Sequence, residues 1–193
     1  MSKVQQPPDP WQRTTTERGF AADEVISALQ KSIRRGLVDN ALLLGWEMYV
    51  SSDAMEQMLW SRLSVISVED VGLGNPQAPI LVETLFQMHL RLDRPSHDRF
   101  LFAGHAIRVM ASGLKDRTTD DMVSWAKQTV ALGERQPEVP DFALDMHTRR
   151  GAEMGRDYRW FIEEASRVHP EIPDKDQTYR NWILAALAAG KLS

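Results

Sequence analysis

Apolar residues return every three or four positions along most of this chain, and the interruptions carry the residues that start and stop helices. Val25, Ile26, Leu29 and Ile33 share one face from Ala22 onward, and Gly36 follows the basic pair Arg34-Arg35, which predicts a helix and its stop. Asp39 precedes a second run, Ala41-Leu42-Leu43-Leu44 through Trp46 and Met48 to Tyr49. Ser51-Ser52-Asp53 then offers the N-cap of a third helix holding Met55, Met58, Leu59, Leu63 and Ile66. Val71-Gly72-Leu73-Gly74-Asn75-Pro76 breaks that period. Further helices are expected over Ile80 to Leu92, Arg99 to Leu114 and Met122 to Leu132. Asp93-Arg94-Pro95-Ser96 and Lys115 to Thr119 are polar connections, and Thr118-Thr119-Asp120-Asp121 is a capped start. Beyond Pro137-Glu138-Val139-Pro140, shorter segments are expected around Phe142 to Arg149, Tyr158 to Val168 and Tyr179 to Leu192. No run alternates β-branched and polar residues, so the pattern predicts an all-α fold, an antiparallel array of helix hairpins. Met1 to Gly19, with Pro7, Pro8, Pro10 and no apolar period, reads as a flexible arm anchored by Trp11; 20–193 reads as a single helical domain.

Composition then works by exclusion. A chain of 193 residues that is 42% hydrophobic has enough apolar mass for one core. The net charge of −4 gives no general basic field, so any nucleic-acid contact has to be local. The absence of Cys removes disulfides, thiolate metal sites and cysteine nucleophiles. No apolar stretch is long enough to span a bilayer and the N-terminus lacks the pattern of a signal peptide, so a soluble cytoplasmic chain is expected, with no membrane contact.

Two stretches say more than periodicity does. They are Ala28-Leu29-Gln30-Lys31-Ser32-Ile33-Arg34 followed by Asp39-Asn40-Ala41-Leu42, and Ser67-Val68-Glu69-Asp70-Val71-Gly72-Leu73 followed by Asn75-Pro76. This pairing resembles the C-terminal region of the bacterial replication-associated recombination ATPases, the MgsA family of clamp-loader-like AAA+ proteins. There the corresponding stretches read as a leucine-histidine-lysine-serine helix and a serine-glutamate-aspartate-x-glycine-leucine turn. The resemblance is best over 22–79, reappears around Val139-Pro140 and Gly155 to Tyr158, and leaves 137–193 as a divergent segment. It implies a helical, collar-like oligomerisation domain, a tetramer in relatives, tied to DNA replication or repair and working with an AAA+ ATPase chain. The chain departs from the family in lacking any G-x-x-x-x-G-K-[ST], so it has no phosphate cradle and is not expected to be an ATPase by itself.

Candidate chemistry concentrates in a few places. His147, Arg149, Arg150, Arg156, Tyr158 and Arg159 suit a partner surface or a nucleic-acid strand, the guanidiniums holding phosphates and the aromatic ring stacking a base. Glu153, Asp157, Glu163 and Glu164 nearly balance that charge, so internal ion pairs fit the same residues. Trp46, Met55, Met58 and Trp60 form an adaptable apolar set suited to an oligomer interface. Glu69-Asp70 reads as a pair that binds backbone N–H or Arg groups, since neighbours on a helix point about 100° apart and do not easily converge. His97-Asp98 invites comparison with metal-dependent HD phosphohydrolases, but it follows Pro95-Ser96, where Ser96 is a good N-cap and Asp98 a first-turn dipole partner. His105 falls in an apolar run and is expected to be a hydrogen-bonded core or interface imidazole. Asp145 and His147, with no nucleophile beside them, leave a metal-dependent hydrolase as the remotest alternative. No catalytic residue, metal or cofactor is assigned, and the leading expectation is a non-catalytic assembly module that binds its own copies, with DNA as the alternative partner.

Overall fold

The computed structural model describes residues 9–94 and 96–192, and the described residues are all-α: nine helices with short 3-10 and π turns, and no strand. The helices are α1 (Ala22–Arg34), α2 (Val38–Ser51), α3 (Asp53–Ile66), α4 (Ala78–His89), α5 (His97–Ser112), α6 (Thr118–Ala131), α7 (Arg149–Glu153), α8 (Tyr158–Trp160) and α9 (Thr178–Ala188). The chain divides into two compact units, Met1–Ala131 and Leu132–Ser193. Residues 1–8 of the expected arm and Pro95 of the expected connection lie outside the described residues.

The first unit follows the apolar period closely. In α1, Ala22, Val25, Leu29 and Ile33 are buried, while Asp23 and Glu24 sit in the first turn where the helix dipole favours them. The helix stops as the sequence predicts. Gly36, at φ +72°, donates to Ile33 O and Leu37 donates to Ser32 O, a paired closure that needs the left-handed residue. Ser52 caps α3, its hydroxyl accepting from Met55 N at 3.1 Å. Leu59, Leu63 and Ile66 of α3 join Met48, Ile107, Met110 and Val82 in one core. At Gly45 a Cβ would meet only the end of the Ile107 side chain, so α2 and α5 pack closely there.

Two local expectations need correction. Residues 9–19 do not form a free arm: Pro10–Arg13 is a 3-10 turn, Trp11 packs on the core, Thr15 bridges Ala21, and the Glu17 amide donates to Ser51 Oγ at 2.9 Å. Ser96 stands at the N-cap of α5 but its hydroxyl caps nothing; its carbonyl accepts from the Tyr49 hydroxyl at 2.7 Å.

The second unit is held differently. The helix expected around Phe142 to Arg149 is a 3-10 turn, Asp141–Ala143, then a loop, with α7 starting only at Arg149. The reason is local competition. Asp145 accepts from His147 N and the Thr148 hydroxyl donates to Asp145 O, both at 3.0 Å, so side chains satisfy backbone groups a helix would use. Thr148 then caps α7 by accepting from Gly151 N at 3.0 Å, and Asp157 caps α8 by accepting from Trp160 N at 2.9 Å. From Phe161 to Ala165 the chain continues α8 as a π turn.

Candidate functional site

The acidic turn is the most connected polar site of the first unit. After α3 the chain widens into a π turn, Ser67–Val71, and this brings Glu69 and Asp70 onto shared partners. Gln30 Nε2 lies 2.9 Å from both Glu69 Oε1 and Asp70 Oδ2, and Arg117 Nη1 lies 3.1 Å from Glu69 Oε1 and 2.5 Å from Asp70 Oδ1. Arg34 adds an Nε bond to Asp70 and an Nη2 bond to Glu69 at 3.2 Å. The expectation that neighbouring carboxylates diverge therefore fails here, because the wider turn reduces the angle between them. The expectation that they bind Arg groups holds.

Asp70 is fully buried. Burial alone would push its carboxyl up, but hydrogen bonds from Arg34, Gln30 and Arg117 outweigh this and hold it below the ordinary carboxylate range. Arg117 is raised in turn by its bond to Asp70. A carboxylate so saturated with donors is a poor general base; its effect is to tie α1 to the segment that precedes α6. The same segment docks backbone to backbone, Asp116 N donating to Val71 O at 3.0 Å. Close approach requires glycine here: Gly72, at φ +50°, faces the Asp116 carbonyl, and a Cβ on Gly74 would lie 2.6 Å from Leu114 O.

The structure places the sequence-predicted residues of the second unit in ion pairs. Arg156 donates to both Asp141 oxygens, at 2.6 and 2.7 Å, and to the Asp141 and Leu144 carbonyls, and its guanidinium lies 4.0 Å from the Trp160 ring centroid. Arg159 meets Glu163 at 3.1 Å and Arg149 meets Glu153 at 3.6 Å. Arg150 is exposed and makes no ion pair among the described residues. His147 Nδ1 lies 3.0 Å from Asp145 Oδ2 with its ring edge-on to Phe161, and this contact lowers the Asp145 carboxyl. Tyr158 stacks on Phe161 at 6.2 Å.

The four residues expected at an oligomer interface divide. Met55 and Trp60 are buried in the core of their own unit and leave no surface for a subunit to cover. Met58 is partly buried against that core. Trp46 is half-buried, stacked on His97 at 5.8 Å and edge-on to Phe100 at 5.0 Å.

His105 is exposed, so the core place expected for it is excluded, and the buried imidazole among the described residues is His89. Its Nδ1 bonds Phe86 O, and Nε2 lies 3.7 Å from Glu56 Oε1. Burial pushes its pKa down. Glu56, also buried, accepts from Arg99 Nε at 2.8 Å with Arg94 Nε at 3.5 Å. The signal was present, since Val82, Leu85 and His89 fall on one helical face. Among the described residues no group of His, Asp and Glu side chains is arranged to hold a metal, and no helix is long and apolar enough to cross a membrane.

No family model matches the chain. Over 144 residues, 74% of its length, the chain is 32% identical to the Replication-associated recombination protein A of Bacillus subtilis (strain 168). The match takes in 33% of that relative, so the chain spans about a third of the length of the curated protein it resembles.

Proposed function

We propose that this chain is a non-catalytic helical assembly module acting in DNA replication or repair, and that it works by binding further copies of itself. The observation that carries the reading is α6. Its apolar residues Met122, Ala126 and Val130 recur at i, i+4 and i+8 on one face, and all three are exposed. Met122 is 60% exposed and Val130 47%. An exposed apolar face of this kind is stabilised by a second surface laid over it. The similarity to a bacterial protein named for replication-associated recombination supplies the cellular setting. A nucleic-acid role for 147–160 has less support, because Arg149, Arg156 and Arg159 already face Glu153, Asp141 and Glu163.

Light scattering on the size-exclusion peak, at two protein concentrations, tests the reading. The expected species is a tetramer, and Met122→Glu combined with Val130→Glu is expected to shift it to smaller mass while the helical spectrum is kept. A monomer at both concentrations sinks the proposal.

A further inference from the structure

A trough of about 470 Å3 lies between the 9–21 segment, α1 and α2. Val25, Ala28, Leu44 and Trp46 line it, and Phe20 and Leu43 form its lips, 55% and 68% exposed. It is built from fixed elements. Glu47 at its base is buried, accepts from Arg18 N at 2.9 Å and pairs with the Arg18 guanidinium, which holds the loop wall in place. Burial would raise the Glu47 carboxyl, but the Arg18 amide, the Thr16 hydroxyl and the Arg18 side chain together keep it low.

One charge of the lining is left over. Arg18, the cation of the lining, is neutralised by Glu47, and Asn40 is engaged with Ser32 Oγ at 2.9 Å. Glu24 lines the trough, is exposed and makes no ion pair among the described residues. An apolar slot with an uncompensated carboxylate, Glu24, at its edge discriminates by charge as well as by shape.

We propose that this trough docks a basic amphipathic segment of a partner protein, with a large apolar side chain between Phe20 and Leu43 and a Lys or Arg against Glu24. An acidic peptide is repelled by the same carboxylate and by the net charge of −4. The proposal is independent of self-assembly through α6, because its residues lie on different elements.

The probe is a labelled helical peptide of Leu and Lys, roughly 14 residues long, with Leu at i, i+3, i+4 and i+7. Its partner is the same peptide with Glu in place of Lys. Anisotropy titrations use the full chain at about 0.15 M salt, where long-range attraction is largely screened. The Lys peptide is expected to bind and the Glu peptide not to. Leu43→Asp is expected to weaken binding about tenfold and Glu24→Lys about fivefold, each with an unchanged thermal melt, whereas Glu138→Lys, an equal charge change at an exposed site in the other unit, changes it less than about twofold. The proposal is overturned if the Lys peptide does not bind, if the Glu peptide binds as well, if Leu43→Asp has no effect, or if Glu138→Lys weakens binding as much as Glu24→Lys.

Discussion

The two units of this chain solve the same problem with unequal means. The first packs apolar side chains from five helices into one core and buries three carboxylates, Glu47, Glu56 and Asp70, each met by arginine. The second has Leu144, Ile162 and Ala186 as its buried apolar side chains among the described residues, and depends on caps and on the Arg156 clamp. A core of some depth can accommodate buried charge, because packing fixes the geometry that makes each ion pair offset its desolvation. A unit with little apolar burial cannot bear that cost, and its ion pairs stay at the surface where each contributes little.

The sharpest way to break the comparison is to remove apolar volume from the first unit. Leu63 is fully buried in the shared core, so Leu63→Ala is expected to destabilise that unit by about 3 kcal/mol, read as a lower urea midpoint. Asp70→Asn comes next, at about 2–3 kcal/mol near neutral pH, because it leaves Arg34 and Arg117 facing an uncharged group. The sign of its pH dependence is fixed by the native shift. The Asp70 carboxyl titrates lower in the folded chain than in the unfolded one, near 3.9. Its contribution is therefore complete above the unfolded value and is lost as pH falls through the native one. The stability gap between wild type and Asp70→Asn is expected to be widest at pH 6 and to narrow as pH falls below about 3.9. A gap that does not narrow means that Asp70 acts through packing and not through charge.

The sequence makes the helices of the first unit legible because each buries one face, and a period of three to four residues records that directly. Even so, of the two places expected for His105, core or interface, the core is excluded. Its neighbours Ala103, Ala106, Ile107 and Met110 define the buried face of α5, and the imidazole lies off it, so hydrophobic surroundings in sequence misled where phase would not have. The ends of the acidic network were beyond reach for another reason. Gln30, Arg34 and Arg117 meet Asp70 across 40, 36 and 47 residues of chain, and no local pattern marks such a meeting. The convergence of Glu69 with Asp70 depends on a π turn, which an ordinary helical wheel does not represent. In the second unit the helix expected before Arg149 is lost to short-range side-chain bonds at Asp145 and Thr148, a competition that propensity and period do not weigh.

The smallest effect is the most informative about the second unit. Arg156 joins Asp141 and Leu144 to the Trp160 ring, linking the 3-10 turn to α8 across residues that share few apolar contacts. Its side chain is 11% exposed while the Asp141 carboxylate is 72% exposed, so solvent screens the charge part and the value rests on the two carbonyls and the stacked ring. Arg156→Ala is expected to cost about 1 kcal/mol, since hydrogen bonds to a charged group are worth more than neutral ones and the exposed ion pair adds little. In hydrogen exchange this reads as amides around α7 and α8 exchanging about fivefold faster, with α1 to α5 unchanged. Arg156→Lys separates the causes: a lysine keeps the charge but cannot reproduce the forked donors or the planar stack, so it is expected to behave like Ala. Full rescue by Lys makes the clamp a matter of charge alone, and faster exchange that spreads into α1 to α5 removes the independence of the two units on which the contrast rests.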